Sequence, residues 1–258
     1  VVTLYADGTP IGSGVATGTG ITIETDGQAD LADGPWAVTA TQTEPGRTES
    51  AASTATSITV DTTAPAAPAA PDLRPLYDSG ADDSDNSTFH ETLSFDVAST
   101  DSYVRLYRDG VLCSEPYKDG TRIAVDPLAD GTYDFTLTSV DVSGNESQPS
   151  AVLTVTVDRT PPTVAATPRT TNDTTPALSG TVDETAATVL VTVDGQTYVA
   201  TNHGDGTWTL PDDTIATVLA DGTYDVGLVA TDLAGNDATD ATADELTIDT
   251  AAPTGAVT

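Results

Sequence analysis

The sequence predicts an all-β chain of tandem Greek-key sandwiches with essentially no helix. Three observations carry that expectation. First, two motifs recur in step. Leu31-Ala-Asp-Gly-Pro-Trp36 returns as Leu128-Ala-Asp-Gly-Thr-Tyr133 and Leu219-Ala-Asp-Gly-Thr-Tyr224, while Asp61-Thr-Thr-Ala-Pro65 returns as Asp158-Arg-Thr-Pro-Pro162 and Asp249-Thr-Ala-Ala-Pro253, each 97 and then 91 residues on. Second, apolar and mostly polar residues alternate at Val104-Leu106, Val189-Val191-Val193 and Val226-Leu228-Ala230, the pattern of a strand with one buried face. Third, Asp-Gly occurs nine times, three per repeat, and this pair accepts the positive φ of tight antiparallel hairpins.

A period of this length suits one immunoglobulin-type sandwich. It divides the 258 residues into 1–65, 66–162 and 163–253, with 254–258 beginning a further repeat or linker. In the second unit, strand A is expected around Ala69–Leu76, followed by the acidic loop Asp78–Asn86. Strand B is read at Thr92–Ala98 and strand C at Tyr103–Arg108, with Asp109-Gly110 and Asp119-Gly120 as turns and Thr121–Val125 between them. Strand F follows at Thr132–Val140, the F–G loop at Asp141–Asn145, and strand G at Val152–Val157. Seven short strands separated by turn signals fit a Greek key. The third unit repeats the scheme at Ala177–Val182, Thr188–Val193, Tyr198–Thr201, Thr207–Leu210, Thr223–Thr231, the loop Asp232–Asn236, and Glu245–Ile248. The first unit begins at a segment matching strand C and so lacks strands A and B. Such a sandwich leaves open edges that invite self-association with another copy. Linkers are expected at Thr62–Pro71, Arg159–Pro168 and Thr250–Pro253, the first an extended, proline-spaced segment. Tyr133, Tyr224 and Trp36 hold the place of a tyrosine corner, and packing alone is the role expected of them.

Composition narrows the function classes. There are 40 acidic and 8 basic residues, for a net charge of -32. That argues against nucleic acid or an anionic membrane as partner and favours divalent cations. No apolar run reaches the roughly 20 residues of a membrane helix. Leu, Ile, Val and Phe make up close to a fifth of the chain, so thin cores are expected. Cys113 is the one cysteine and reads as a small hydrophobe. His90 and His203 have no partner at metal or triad spacing, and Asp78-Ser-Gly80 is half an aspartic-protease motif without its second half. No enzymatic activity is expected. Asn86, Asn145 and Asn172 begin short glycosylation-type patterns.

One chemistry has a pattern. Calcium takes six to eight oxygens from Asp, Asn and backbone carbonyls. In a seven-stranded sandwich, the F–G loop returns to the pole where strand A begins, and strand G leaves at the opposite pole. Asp158 is therefore expected near Asp232, Asn236 and Asp173, and Asp61 near Asp141 and Asn145, with Asp249 at the next seam. Like charges 4 Å apart repel by roughly 4 kcal/mol at an effective dielectric near 20, which a cation would relieve. Asp78, Asp82, Asp85 and Asn86 form a second candidate cluster for one ion. Trp208 reads as core; with Tyr198 it is also the only plausible glycan-stacking pair.

The ordered set Asp61-Thr-Thr-Ala-Pro-Ala-Ala-Pro68, the Asp78-Ser-Gly to Asp85-Asn86 loop, Leu219-Ala-Asp-Gly-Thr-Tyr-Asp-Val226, Ala230-Thr-Asp-Leu-Ala-Gly-Asn236 and Leu246-Thr-Ile-Asp249 resembles the bacterial immunoglobulin-like repeats of large surface adhesins and secreted repeat proteins. The resemblance implies extracellular, cell-surface stalk modules that contact neighbouring repeats of the same protein. It further implies stiffening by calcium at the junctions, and a glycan or receptor bound elsewhere in the parent. Self-assembly into a fibre, or glycan binding by the segment itself, are the rival readings. In the first unit Glu44-Pro-Gly-Arg47 replaces the Asp-x-x-Gly-Asn loop, so no ion site is expected there.

Overall fold

The computed structural model describes residues 1–27, 29–98, 103–115, 121–240 and 242–253. The Asp119-Gly120 turn and residues 254–258 lie outside the described residues. Near the N-terminus, β1 (Val2–Ala6), β2 (Thr9–Gly14), β3 (Gly34–Gln42) and β4 (Thr56–Val60) form one sheet in the order β2-β1-β3-β4. The next module contains β5 (Asp72–Leu73), β6 (Ser87–Thr88), β7 (Ser94–Asp96), β8 (Tyr103–Arg108), β9 (Val111–Leu112), β10 (Arg122–Ala124), β11 (Gly131–Val140) and β12 (Leu153–Val157). It pairs the three-stranded sheet β10-β7-β5 with the five-stranded sheet β6-β12-β11-β8-β9. The third module contains β13 (Val164–Ala166), β14 (Arg169–Thr171), β15 (Leu178–Val182), β16 (Thr188–Val193), β17 (Gln196–Val199), β18 (Thr201–Asn202), β19 (Thr207–Leu210), β20 (Gly222–Tyr224), β21 (Gly227–Thr231), β22 (Asp237–Thr239) and β23 (Leu246–Ile248). Its sheets are β13-β15-β19-β18, β14-β23-β20 and β17-β16-β21-β22. The one helical element among the described residues is a 3-10 turn at Pro75–Tyr77.

The alternation read in the sequence is the alternation of burial. β15 and β16 present every second side chain inward, as the pleat requires. Leu178, Val182, Val189, Val191, Trp208, Leu210, Leu228 and Ile248 close the third core. Phe95 and Phe135 meet in the second at 4.6 Å between ring centroids, with Leu106, Leu137, Val155 and Val157 around them. These two cores are dense rather than thin. The N-terminal sheet is different: Ala6 and Ile11 are its buried apolar residues, and no second sheet covers it among the described residues.

Several elements depart from the sequence expectation. Residues 164–166, read as linker, form β13 and pair with β15. The short strands β6 and β14 switch sheets to run parallel to β12 and β23, and two- and three-residue strands are too brief for a periodic signal. Strand F of the third module breaks between Tyr224 and Gly227. There the Val226 amide donates to the buried Glu245 carboxylate at 2.9 Å instead of to a neighbouring strand.

Asp-Gly serves two separate ends. Asp7-Gly8, Asp109-Gly110 and Asp194-Gly195 all have positive φ at both residues, the backbone of a tight C–C′ hairpin. The Asp-Gly of Leu-Ala-Asp-Gly instead precedes strand F, and its carboxylate reaches the residue leaving strand G. Asp33 Oδ1 accepts from the Thr62 amide and hydroxyl, Asp221 Oδ1 accepts from the same two groups of Thr250, and Asp130 accepts from Arg159 Nε and Thr160 Oγ1. The aromatic that follows does more than pack. Tyr133 and Tyr224 hydroxyls donate to the carbonyls of Ala129 and Ala220, and the Trp36 indole N–H donates to that of Ala32, each at 2.9 Å. Indole can replace phenol because the corner needs only a donor on a rigid ring. The F–G side carries a further repeated bracket. In Glu49-Ser50-Ala-Ala-Ser53 and Glu146-Ser147-Gln-Pro-Ser150 both serine hydroxyls accept from strand F amides, and the glutamate accepts a tyrosine and a threonine hydroxyl from the same sheet.

Gly180 sits between β13 and the Trp208 indole. A Cβ there would overlap the Ala165 carbonyl oxygen and come within 2.7 Å of Trp208 Cε2. Gly180→Ala is expected to destabilise the third module by about 1–3 kcal/mol. Urea unfolding followed by Trp208 fluorescence in a Trp36→Phe background measures it; an unchanged midpoint refutes it.

Candidate functional site

The F–G loops of the second and third modules share the same Asp–Asn bonds and face the residue that follows the preceding strand G. In Asp141-Val-Ser-Gly-Asn145, Asp141 Oδ1 accepts from the amides of Ser143 and Asn145, and Asp141 Oδ2 accepts from Asn145 Nδ2 at 2.9 Å. The same Asn145 Nδ2 donates across the seam to the Asp61 carbonyl at 2.9 Å. In Asp232-Leu-Ala-Gly-Asn236 the bonds repeat. Asp232 Oδ1 accepts from the Asn236 amide, Oδ2 accepts from Asn236 Nδ2, and that nitrogen donates to the Asp158 carbonyl at 2.8 Å. An aspartate thus caps its own loop and orients the asparagine amide, whose second proton binds the neighbouring module. At the first seam Ser143 Oγ also donates to Asp61 Oδ2 at 3.2 Å.

The expected gatherings of Asp61 with Asp141 and Asn145, and of Asp158 with Asp232 and Asn236, are therefore found. Asp173 is not among them. It lies at the far pole of its module, where its carboxylate accepts from the Thr175 amide and Thr171, two residues before it, accepts from the Asp249 amide. The reason is the short β14, which carries the chain to that pole before Asp173. Asp249 Oδ1 turns back onto the Ala251 amide, as Asp158 does onto Thr160 and Asp61 onto Thr63.

The acidic loop also belongs to a seam. It separates β5 from β6 and extends to the third module, where Ser79 Oγ donates to the Ala234 carbonyl. Asp78 is buried, with Oδ2 accepting from the Asn86 amide at 3.1 Å and Oδ1 without a partner. Burial pushes its carboxyl pKa up, and the charges of Asp85, Asp82 and Asp83 add to that against the Asn86 bond. Asp82 and Asp85 cap Ser84 and Ser87, and Asn86 holds the αL conformation at φ 61°. A cavity of about 230 Å³ opens between this loop and the third module, lined in part by Asp82, Asp85, Thr188 and Asp232. Glu184, which the sequence reading missed, joins the same seam; burial raises its pKa, as do the charges of Asp158, Asp183 and Asp232.

At the first seam the Asp61 carbonyl already accepts an amide N–H and Asp141 accepts three bonds from its own loop, so none of these oxygens is left without a partner. Among the described residues two buried carboxylate oxygens lack a partner, Asp78 Oδ1 and Glu245 Oε1; the Asp78 oxygen stands with Asp82 and Asp85 in one loop and fits a hard cation. Among the described residues, no three His, Cys, Asp or Glu are placed together as a metal site.

A family model described as bacterial Ig-like domain matches residues 64–159 and 163–250. The chain belongs to the bacterial Ig-like domain family. Among solved structures, it is similar to the fibronectin(III)-like modules of Clostridium thermocellum CbhA, at 18% identity, covering 63% of this chain and 87% of that one with a TM-score of 0.39. It is also similar to a Bacteroides ovatus glucan-utilization protein, SGBP-B, solved with a mixed-linkage heptasaccharide, at 16% identity, 96% and 60% coverage, and TM-score 0.24. A third is the central fibronectin-III array of RIM-binding protein, at 16% identity, 70% and 69% coverage, and TM-score 0.26. No curated protein matches the chain. In this bacterial Ig-like chain the asparagine latch is the element both seams share.

Asn145→Ala and Asn236→Ala are each expected to cost about 0.5–1.5 kcal/mol, seen as a lowered melting temperature in calorimetry; no change in either would refute the latch. Asp33, Asp130 and Asp221 titrate below the usual aspartate range because Thr63 and Thr62, Arg159, and Thr250 bond their ionised forms. Their contribution is complete above the ordinary aspartate pKa and is lost as pH falls through the lowered native values. The Thr62 and Thr250 amide resonances should shift in that acid window, and Asp221→Asn should abolish the Thr250 step.

Proposed function

We propose that this chain is a stiff structural spacer, a segment of an extracellular bacterial surface or secreted protein that sets the distance between other parts. One observation carries the reading: a side-chain amide from each following module bonds the carbonyl of the residue just after the last strand of the module before it, at 2.9 and 2.8 Å. Serial bonding of this kind supports end-to-end rigidity, and neighbouring repeats are then the principal partners. The high negative charge favours solubility and disfavours polyanion partners.

The glycan-binding rival has little support here. Trp208 is 0% exposed, and its indole N–H donates to the Ala165 carbonyl at 3.2 Å, so it offers no stacking face. The self-assembly rival is favoured by one observation, an N-terminal sheet with no second sheet over it among the described residues; a dimer or filament in size-exclusion chromatography with light scattering would establish it over the spacer reading.

Calcium belongs to the proposal at the second seam only. Asp78, with Asp82 and Asp85, would hold the ion, which would supply positive charge to the buried oxygen of Asp78. In that case millimolar calcium raises the melting temperature of the unaltered chain and not of Asp78→Asn. Equal shifts, or none, would overturn the calcium reading while leaving the spacer intact. The spacer itself is tested by small-angle scattering: the unaltered chain should give an extended, narrow distance distribution that Asn145→Ala with Asn236→Ala shortens and broadens.

A further inference from the structure

The two seams are not built alike. Between β13 and β14 the third module has only Thr167 and Pro168, whereas the second places residues 74 to 86 between the corresponding β5 and β6. That extra length leaves its own module. Ser79 Oγ donates to the Ala234 carbonyl, accepts from the Phe89 amide at 2.9 Å and lies 3.2 Å from Thr88 Oγ1. The hydroxyl thus ties β6 to the next module's F–G loop. Beside it, Gly80 and Gly235 meet backbone to backbone. A Cβ on Gly235 would come 2.8 Å from Gly80 N and 2.9 Å from its Cα, and one on Gly80 would overlap the Leu233 carbonyl oxygen.

The first seam has the same loop without the visitor. Gly144, the counterpart of Gly235, has φ +93° against +91°, yet a Cβ on it meets nothing within 4 Å. Val142 is 80% exposed where its counterpart Leu233 is 52% exposed. The linkers differ too. Arg159 bonds Asp130 and Glu91 of its own module, while the matching position in the first linker is Thr62.

We propose that the Asp78–Asn86 loop is a strap that makes the second and third modules one rigid unit, leaving the first seam, held by the asparagine latch without a strap, as the more compliant joint of the chain. A body held at one loop, by the Asn145 and Ser143 bonds to Asp61, and by a covalent linker can still pivot about that point. A second tie, closed by glycine contacts with no slack, removes that freedom. The inference rests on these contacts and holds whether or not the chain acts as a spacer.

The test is a pair of spin-label distance distributions in a Cys113→Ser background. Labels at Val111→Cys and Val199→Cys span the second seam, and labels at Val15→Cys and Val111→Cys span the first; all three sites are exposed. Measurement in excess chelator removes any contribution from calcium. The expected result is a distribution clearly narrower across the second seam than across the first. Gly235→Ala should abolish the narrow distribution, while Gly144→Ala, which imposes the same positive-φ strain, should leave the first-seam distribution unchanged. Ser79→Ala, which leaves the cores untouched, should broaden the second seam by itself if Gly235→Ala fails to fold. Equal widths at the two seams of the unaltered chain would overturn the strap, as would a narrow second seam surviving both Gly235→Ala and Ser79→Ala.

Discussion

Everything that makes this chain more than separate sandwiches depends on how one asparagine amide divides its two protons. One proton goes to the aspartate four residues earlier in the same loop, and the other to a backbone carbonyl of the preceding module. The first bond fixes the amide before the second is made, so little side-chain entropy remains to be lost at the joint. The aspartate is itself held by two loop amides, and the Asn145 bond lowers the Asp141 pKa. At the first seam the orienting charge therefore persists below the ordinary aspartate range.

Around that joint each module supplies the same supports. The Leu-Ala-Asp-Gly aspartate holds the residue that leaves strand G, and the ring three positions later ties the corner to the carbonyl four residues before it. These contacts are mostly exposed, and individually surface bonds of this kind contribute little. Their effect is directional: they fix where the chain leaves one core, so that the next F–G loop meets a carbonyl already in place. The cores supply most of the stability, and the N-terminal sheet, with few buried apolar residues, lacks that source.

Much of this was legible in the sequence, for identifiable reasons. Period-two burial in Thr188–Val193 and Thr207–Leu210 reproduces strand bounds without error, since each strand buries one face in a two-sided core. Convergence of Asp61 with Asn145 and of Asp158 with Asn236 follows from topology alone. What the residues would do on meeting was not legible. Aspartate and asparagine close together suit a cation and a direct hydrogen bond equally, and only the rotamer of the amide decides between them. Asp173 was misplaced because β14 is three residues long and leaves no periodic trace. Glu184 has no motif around it. The reach of the Asp78–Asn86 loop was hidden because a run of acidic residues looks the same solvated or docked.

The joint is also asymmetric: the module before a seam offers a carbonyl and the module after it an amide, and the second module does both, at opposite poles. Neither half depends on the identity of the core between them. Duplication or exchange of whole repeats during recombination therefore carries a complete plug and socket at every step, and the gene can lengthen without redesigning a single interface. A repeat that keeps Glu44-Pro-Gly-Arg47 in place of the asparagine loop has no socket of this kind, which confines it to positions where another mode of attachment serves.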